Sequence, residues 1–126
     1  MRYDDWFSVH YDELILAVKM KNALKKANKT YEYPLKFEIK NILVNGQKRG
    51  CSGFVTNLNN GSCVYINTEP VIEGRLGILY RYAKDDKDYK GYTNRWTGRV
   101  YTVDSLANNI LKLLDKTPEE ARDCRI

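Results

Sequence analysis

The sequence predicts an α+β domain: an antiparallel β-sheet of about three to five strands with an N-terminal helix and C-terminal helices. Three observations carry that expectation. Apolar residues recur at three- and four-residue steps near residues 9–28 and again at 104–114. Between these stretches lie short runs that alternate apolar with polar residues or are rich in β-branched and aromatic residues. Asn45-Gly46 and Asn59-Asn60-Gly61 separate those runs, and such residues close hairpins because they tolerate positive φ.

The first helix is expected over residues about 9–28, with Leu14, Ala17, Val18, Leu24 and Ala27 on one face. Asp12 and Glu13 fall in its first turn, and Lys19, Lys21, Lys25, Lys26 and Lys29 load its later turns, matching the helix dipole at both ends. That basic stretch reads either as a solvated face that complements the dipole or as a face that meets an anion. After Pro34, Leu35, Phe37 and Ile39 alternate with Lys36, Glu38 and Lys40, the period of a half-buried strand. The phase shifts at Asn41, which predicts a bulge. A second strand follows the Asn-Gly turn through about Leu58, and Ser62–Thr68 makes a third.

Gly77–Tyr82 reads as a fourth strand or as the approach to a short helix through Ala83-Lys84. Residues 84–99 lack apolar periodicity and read as a long loop. Asp104 then looks like the N-cap of a helix whose stripe is Leu106, Ala107, Ile110, Leu111, Leu113 and Leu114. Thr117-Pro118-Glu119-Glu120 has the form of a capping box opening a short terminal helix. No linker or repeat divides the chain, so residues 1–126 are read as a single domain.

Composition narrows the chemistry. The 126 residues are 43% hydrophobic and 29% charged, and no apolar run reaches the roughly 18 residues of a membrane span. The opening Met1-Arg2-Tyr3-Asp4-Asp5-Trp6 is acidic where a signal peptide is basic, so a cytoplasmic protein is expected. The net charge of +5 favours anionic partners only weakly. His10 is the single histidine and sits at the start of the first helix, which leaves Ser-His and Cys-His schemes without a placed base. Cys51, Cys63 and Cys124 are too scattered for a zinc site, and Cys51 and Cys63 read as strand residues facing a core. The Gly46–Gly53 stretch lacks the Lys-Ser/Thr that ends a phosphate loop, so its glycines read as hairpin and close-approach residues, with Lys48 and Arg49 at the tip within reach of an anion should one bind there. Asp85, Asp86 and Asp88 interleave with Lys84, Lys87 and Lys90 and read as a solvated charged turn. No cofactor and no metal is expected.

The chemically dense segment is Tyr80–Arg99. It holds five aromatics (Tyr80, Tyr82, Tyr89, Tyr92, Trp96) and six cations (Arg81, Lys84, Lys87, Lys90, Arg95, Arg99) against three acids. Aromatic faces stack on nucleobases, arginine forks pair with phosphate, and the Asn94 amide both donates and accepts. The candidate ligand-binding set is therefore Tyr80, Tyr82, Lys84, Tyr89, Asn94, Arg95, Trp96 and Arg99, with Arg49 from the hairpin tip. The same rings also suit a core with one wet end. No helix–turn–helix spacing and no RNA-binding sheet motif is visible, so the expected ligand is compact rather than a nucleic acid.

Cys63-Val64-Tyr65-Ile66-Asn67-Thr68-Glu69, then Tyr80-Arg81-Tyr82-Ala83-Lys84, Lys87-Asp88-Tyr89, Gly91, Asn94 and Trp96, resembles the phage and prophage proteins of the first-described Thoeris anti-defence family. The resemblance covers roughly residues 50–115. It implies a non-enzymatic homo-oligomer that sequesters a cyclic ADP-ribose isomer unchanged, in pockets at subunit interfaces. It also implies an aromatic stacking residue, an asparagine and arginines as the recognition set, whose nearest matches are Tyr82, Asn94 and Arg99, with Arg95 or Arg49. Tyr82 departs from the family's phenylalanine. The alternative expectation is a small phage inhibitor, of the anti-CRISPR kind, that binds a protein or nucleic-acid complex.

Overall fold

The computed structural model describes residues 16–70, 76–89, 98–100 and 103–116. The element order is α1 (Ala17–Asn28), β1 (Leu35–Val44), β2 (Gln47–Asn57), β3 (Cys63–Pro70), β4 (Leu76–Ala83), β5 (Gly98–Val100) and α2 (Val103–Leu114). The strands form one antiparallel sheet in the order β1-β2-β3-β4-β5, so every neighbour in space is a neighbour in sequence. This is the α+β architecture that the hairpin signals predict. No helix among the described residues is long and apolar enough to cross a membrane.

Turn chemistry sets the register. Asn45 and Gly46 take φ of 51° and 77°, the positive pair that a two-residue hairpin needs. The bulge expected near Asn41 is present as a register shift between Asn41 and Leu43. It has a second consequence: the Asn41 Oδ1 accepts the Ala17 N–H at 2.8 Å, capping the first turn of α1 from the sheet. Gly53 lies opposite Ile39, and a Cβ there would run into the backbone of Glu38 and Ile39. The close-approach reading of that glycine holds.

Both helices cover one face of the sheet. Met20 and Leu24 of α1 and Leu106, Ile110, Leu111 and Leu114 of α2 are fully buried against Ile39, Cys51, Val55, Val64, Ile66 and Ile78. Each such side chain contributes about 1.5–3 kcal/mol by leaving water. The predicted stripe of α2 is buried throughout. That of α1 is corrected: Met20 replaces Val18, which is 60% exposed. The last carbonyls of α2 are satisfied from the β2–β3 turn, since Asn57 Nδ2 and Asn60 Nδ2 each donate to Leu114 O at 3.0 Å. Ser62 Oγ donates to Lys116 O.

Three further sequence expectations shift. Gly77–Tyr82 belongs to a strand that runs on to Ala83, not to the approach of a helix. The 84–99 segment ends in a strand, because Gly98 and Arg99 pair with Tyr80 and Leu79. Asp104 lies inside the first turn of α2 rather than at its cap. His10, Cys124 and the capping box at Thr117–Glu120 lie outside the described residues.

Candidate functional site

Strand alternation divides the predicted site between two faces of the sheet. Tyr80 and Tyr82 share a face with Val64 and Ile66 and lie in the core under the helices, 7% and 4% exposed. The Tyr82 hydroxyl donates to Leu113 O, and the Tyr80 hydroxyl receives the Asn109 amide at 3.0 Å. A Cβ on Gly98 would collide with the Tyr80 ring, so β5 carries glycine where that ring passes. The expectation that these two rings stack on a ligand is therefore corrected: each is buried in the core, and each spends its hydroxyl on a helix. A Tyr-X-Tyr pair marks one face of a strand without saying which.

The opposite face carries a smaller cluster, Phe54, Cys63, Tyr65 and Ala83, all buried. Tyr89, from the loop after β4, stands edge-on to both rings, with centroids 5.3 Å from Phe54 and 6.0 Å from Tyr65. Its own ring stays 70% exposed. The Arg81 guanidinium lies 4.7 Å from the centre of the Tyr65 ring. Burial pushes that guanidinium below its ordinary range and Asp88 opposes the shift; an arginine stays charged throughout. Asn67 follows Tyr65 on this face and donates Nδ2 to the Tyr65 hydroxyl at 3.3 Å. Its Oδ1 is buried and has no hydrogen-bond partner.

The loop that delivers Tyr89 is built, not slack. Arg81 donates to Tyr82 O at 3.2 Å and to Asp88 O at 3.0 Å, tying the loop to the sheet. Asp88 accepts the Lys84 N–H at 2.9 Å, closing the loop on itself, and Asp85 accepts the Lys87 N–H at 2.8 Å, the side-chain turn that aspartate favours. Asp86 pairs with Lys36 of β1 at 2.6 Å, which holds its carboxyl below the ordinary carboxylate range. The three aspartates thus shape a turn, as the interleaved lysines suggest. Lys84 and Lys87 are exposed beside it.

Of the predicted set, Tyr89 and Lys84 are exposed where the sequence placed them. Arg99 and Arg49 are located by backbone only, Arg99 opposite Leu79 on β4 and Arg49 within β2. Asn94, Arg95 and Trp96 lie outside the described residues. Phe54, Tyr65, Asn67 and the anchoring role of Arg81 escaped the sequence reading. Their signal was parity: Phe54 and Tyr65 adjoin Val55 and Val64, the inward residues of β2 and β3, and so must point the other way.

Both described thiols are free and buried, Cys51 under the helices and Cys63 on the opposite face. Burial pushes them up to about 12 and about 11, so neither is a thiolate nucleophile near neutral pH. No protein-family model, no curated protein and no solved structure matches this chain.

Proposed function

We propose that this chain is a non-enzymatic binding protein of phage anti-defence type, which captures a small cyclic nucleotide signal of the cyclic ADP-ribose class and holds it unaltered in the bacterial cytoplasm. The observation that carries the reading is the exposed Tyr89 ring, fixed edge-on to Phe54 and Tyr65 and flanked by Lys84 and Lys87. A fixed, exposed ring offers a stacking surface worth roughly 1–3 kcal/mol per base. The Arg81–Asp88 tie orders the loop before any ligand arrives, which lowers the entropy cost of binding. The unpartnered Asn67 Oδ1 is an acceptor for a ring or exocyclic N–H. Lysines near the ring, with Arg99 at the neighbouring strand, suit the phosphates.

Sequestration asks only for affinity, whereas hydrolysis also asks for an acid, a base or a metal set against one bond. In this reading a second copy of the chain completes the pocket, because one exposed ring covers a ligand on one side only. The test is a thermal-shift series with cyclic ADP-ribose isomers and cyclic dinucleotides, followed by heating the complex and analysing the released compound. One of these nucleotides should raise the melting temperature and come back intact. Recovery of hydrolysed product would make the protein an enzyme, and no shift with any of them would remove the proposal.

A further inference from the structure

A second surface lies away from the aromatic face. The β1 strand is ten residues long and forms an edge of the described sheet. Leu58 N–H donates to Pro34 O at 2.9 Å, which fixes the antiparallel phase. Alternation then turns the main-chain N–H and C=O groups of Leu35, Phe37 and Ile39 away from β2, toward the edge. Alongside runs a groove of about 490 Å³ lined by Ala17, Val18, Lys21, Asn22 and Lys25 of α1 and by Ile39, Lys40 and Asn41 of β1. Three of those eight are lysines and none is an acid. Val18 leaves an exposed apolar contact at its wall. The Lys25 ammonium stands 5.9 Å from the Phe37 ring centre.

We propose that this groove docks an extended acidic segment of a partner protein, which adds as a strand to β1 while carboxylates on its helix side meet Lys21 and Lys25 and one on its other side meets Lys40. Each part of the surface has a use under this assignment. The outward main-chain groups of β1 supply the ladder, and alternate side chains of the guest fall toward α1, where Val18, Lys21 and Lys25 stand, or toward Lys40 on the other face. A second copy of this chain is a poor guest, since the side chains its own β1 would turn toward α1 are Leu35, Phe37 and Ile39, which offer no carboxylate to Lys21 and Lys25.

The experiment uses the full chain. Amide exchange is first measured on the free protein, where the Leu35, Phe37 and Ile39 amides should exchange quickly. Slow exchange there would mean that another part of the chain or a second copy already covers the edge, and would overturn the proposal. Random linear peptides are then selected on the immobilised chain. The enriched peptides should be rich in Asp and Glu and should slow exchange at those three amides. The combined variant Lys21→Glu, Lys25→Glu and Lys40→Glu should weaken their binding by about tenfold or more, as loss of charge-assisted contacts requires. Lys112→Glu on α2 should leave it unchanged. If the charge-reversed chain misfolds, the three Lys→Gln changes serve in its place with the same direction of effect. Peptides without acidic enrichment, protection elsewhere, or equal competition by single-stranded DNA or inorganic phosphate would each contradict strand docking.

Discussion

The two faces of the sheet are made by the same strands, yet they do different work. On the covered face Val55, Val64, Ile66, Ile78, Tyr80 and Tyr82 lie beneath two helices, and the tyrosine hydroxyls are consumed by Leu113 O and Asn109. On the other face the residues one step along in sequence, Phe54, Tyr65 and Arg81, support a loop whose Tyr89 remains open to solvent. Tyrosine therefore serves twice in one domain. Where a helix carbonyl or amide is within reach it anchors the core; where a loop lifts it clear it offers a ring. Position relative to the strand repeat, not residue type, separates the roles.

The largest expected difference follows from that division. Tyr82→Ala should cost about 3–5 kcal/mol in denaturant unfolding, as emptying an aromatic core site does. Tyr89→Ala should cost only about 0.5–1.5 kcal/mol, the worth of its edge-on contacts with Phe54 and Tyr65. Equal costs would erase the distinction between the faces. A smaller effect sharpens it: Tyr82→Phe keeps the ring and removes one of two donors to Leu113 O, the Lys116 N–H remaining, and should cost about 0.5–1.5 kcal/mol with nucleotide binding retained.

The buried thiols add a pH signature. In the native chain Cys51 and Cys63 hold their protons up to about 12 and about 11, against an ordinary value of 9.0. The unfolded chain releases those protons first, so their contribution to stability is complete below about pH 9 and drains away as pH rises toward 11–12. Urea midpoints measured across that window should fall more steeply for wild type than for Cys51→Ala. The smallest effect belongs to the exposed Lys36–Asp86 pair. Its contribution is present above the ordinary carboxylate range and is lost as pH falls, and Lys36→Gln should barely move the melting temperature.

Much of the fold was legible because its signals are local. Asn45-Gly46 fixed a hairpin, Asn41 announced a bulge, and the Leu106–Leu114 stripe named the face of α2 that lies in the core. What was not legible depends on pairing across the sheet. Gly98–Val100 is too short to show strand periodicity, and its place beside β4 is fixed by pairing with Ile78, Leu79 and Tyr80. Likewise, Tyr80 and Tyr82 read as ligand residues because their neighbours in sequence are cationic. Their neighbours in space are leucines and isoleucines. Tyr89 was named on the same composition argument, and its lack of a strand position is what leaves its ring accessible.

The account rests on a ring outside the core doing the capturing. Native mass spectrometry of wild type, Tyr82→Phe and Tyr89→Ala, each with the cyclic nucleotide that shifts the melting temperature, tests it most directly. The account predicts an intact adduct on wild type and on Tyr82→Phe, and none on Tyr89→Ala. An adduct that survives on Tyr89→Ala, or that disappears only with Tyr82→Phe, would contradict it.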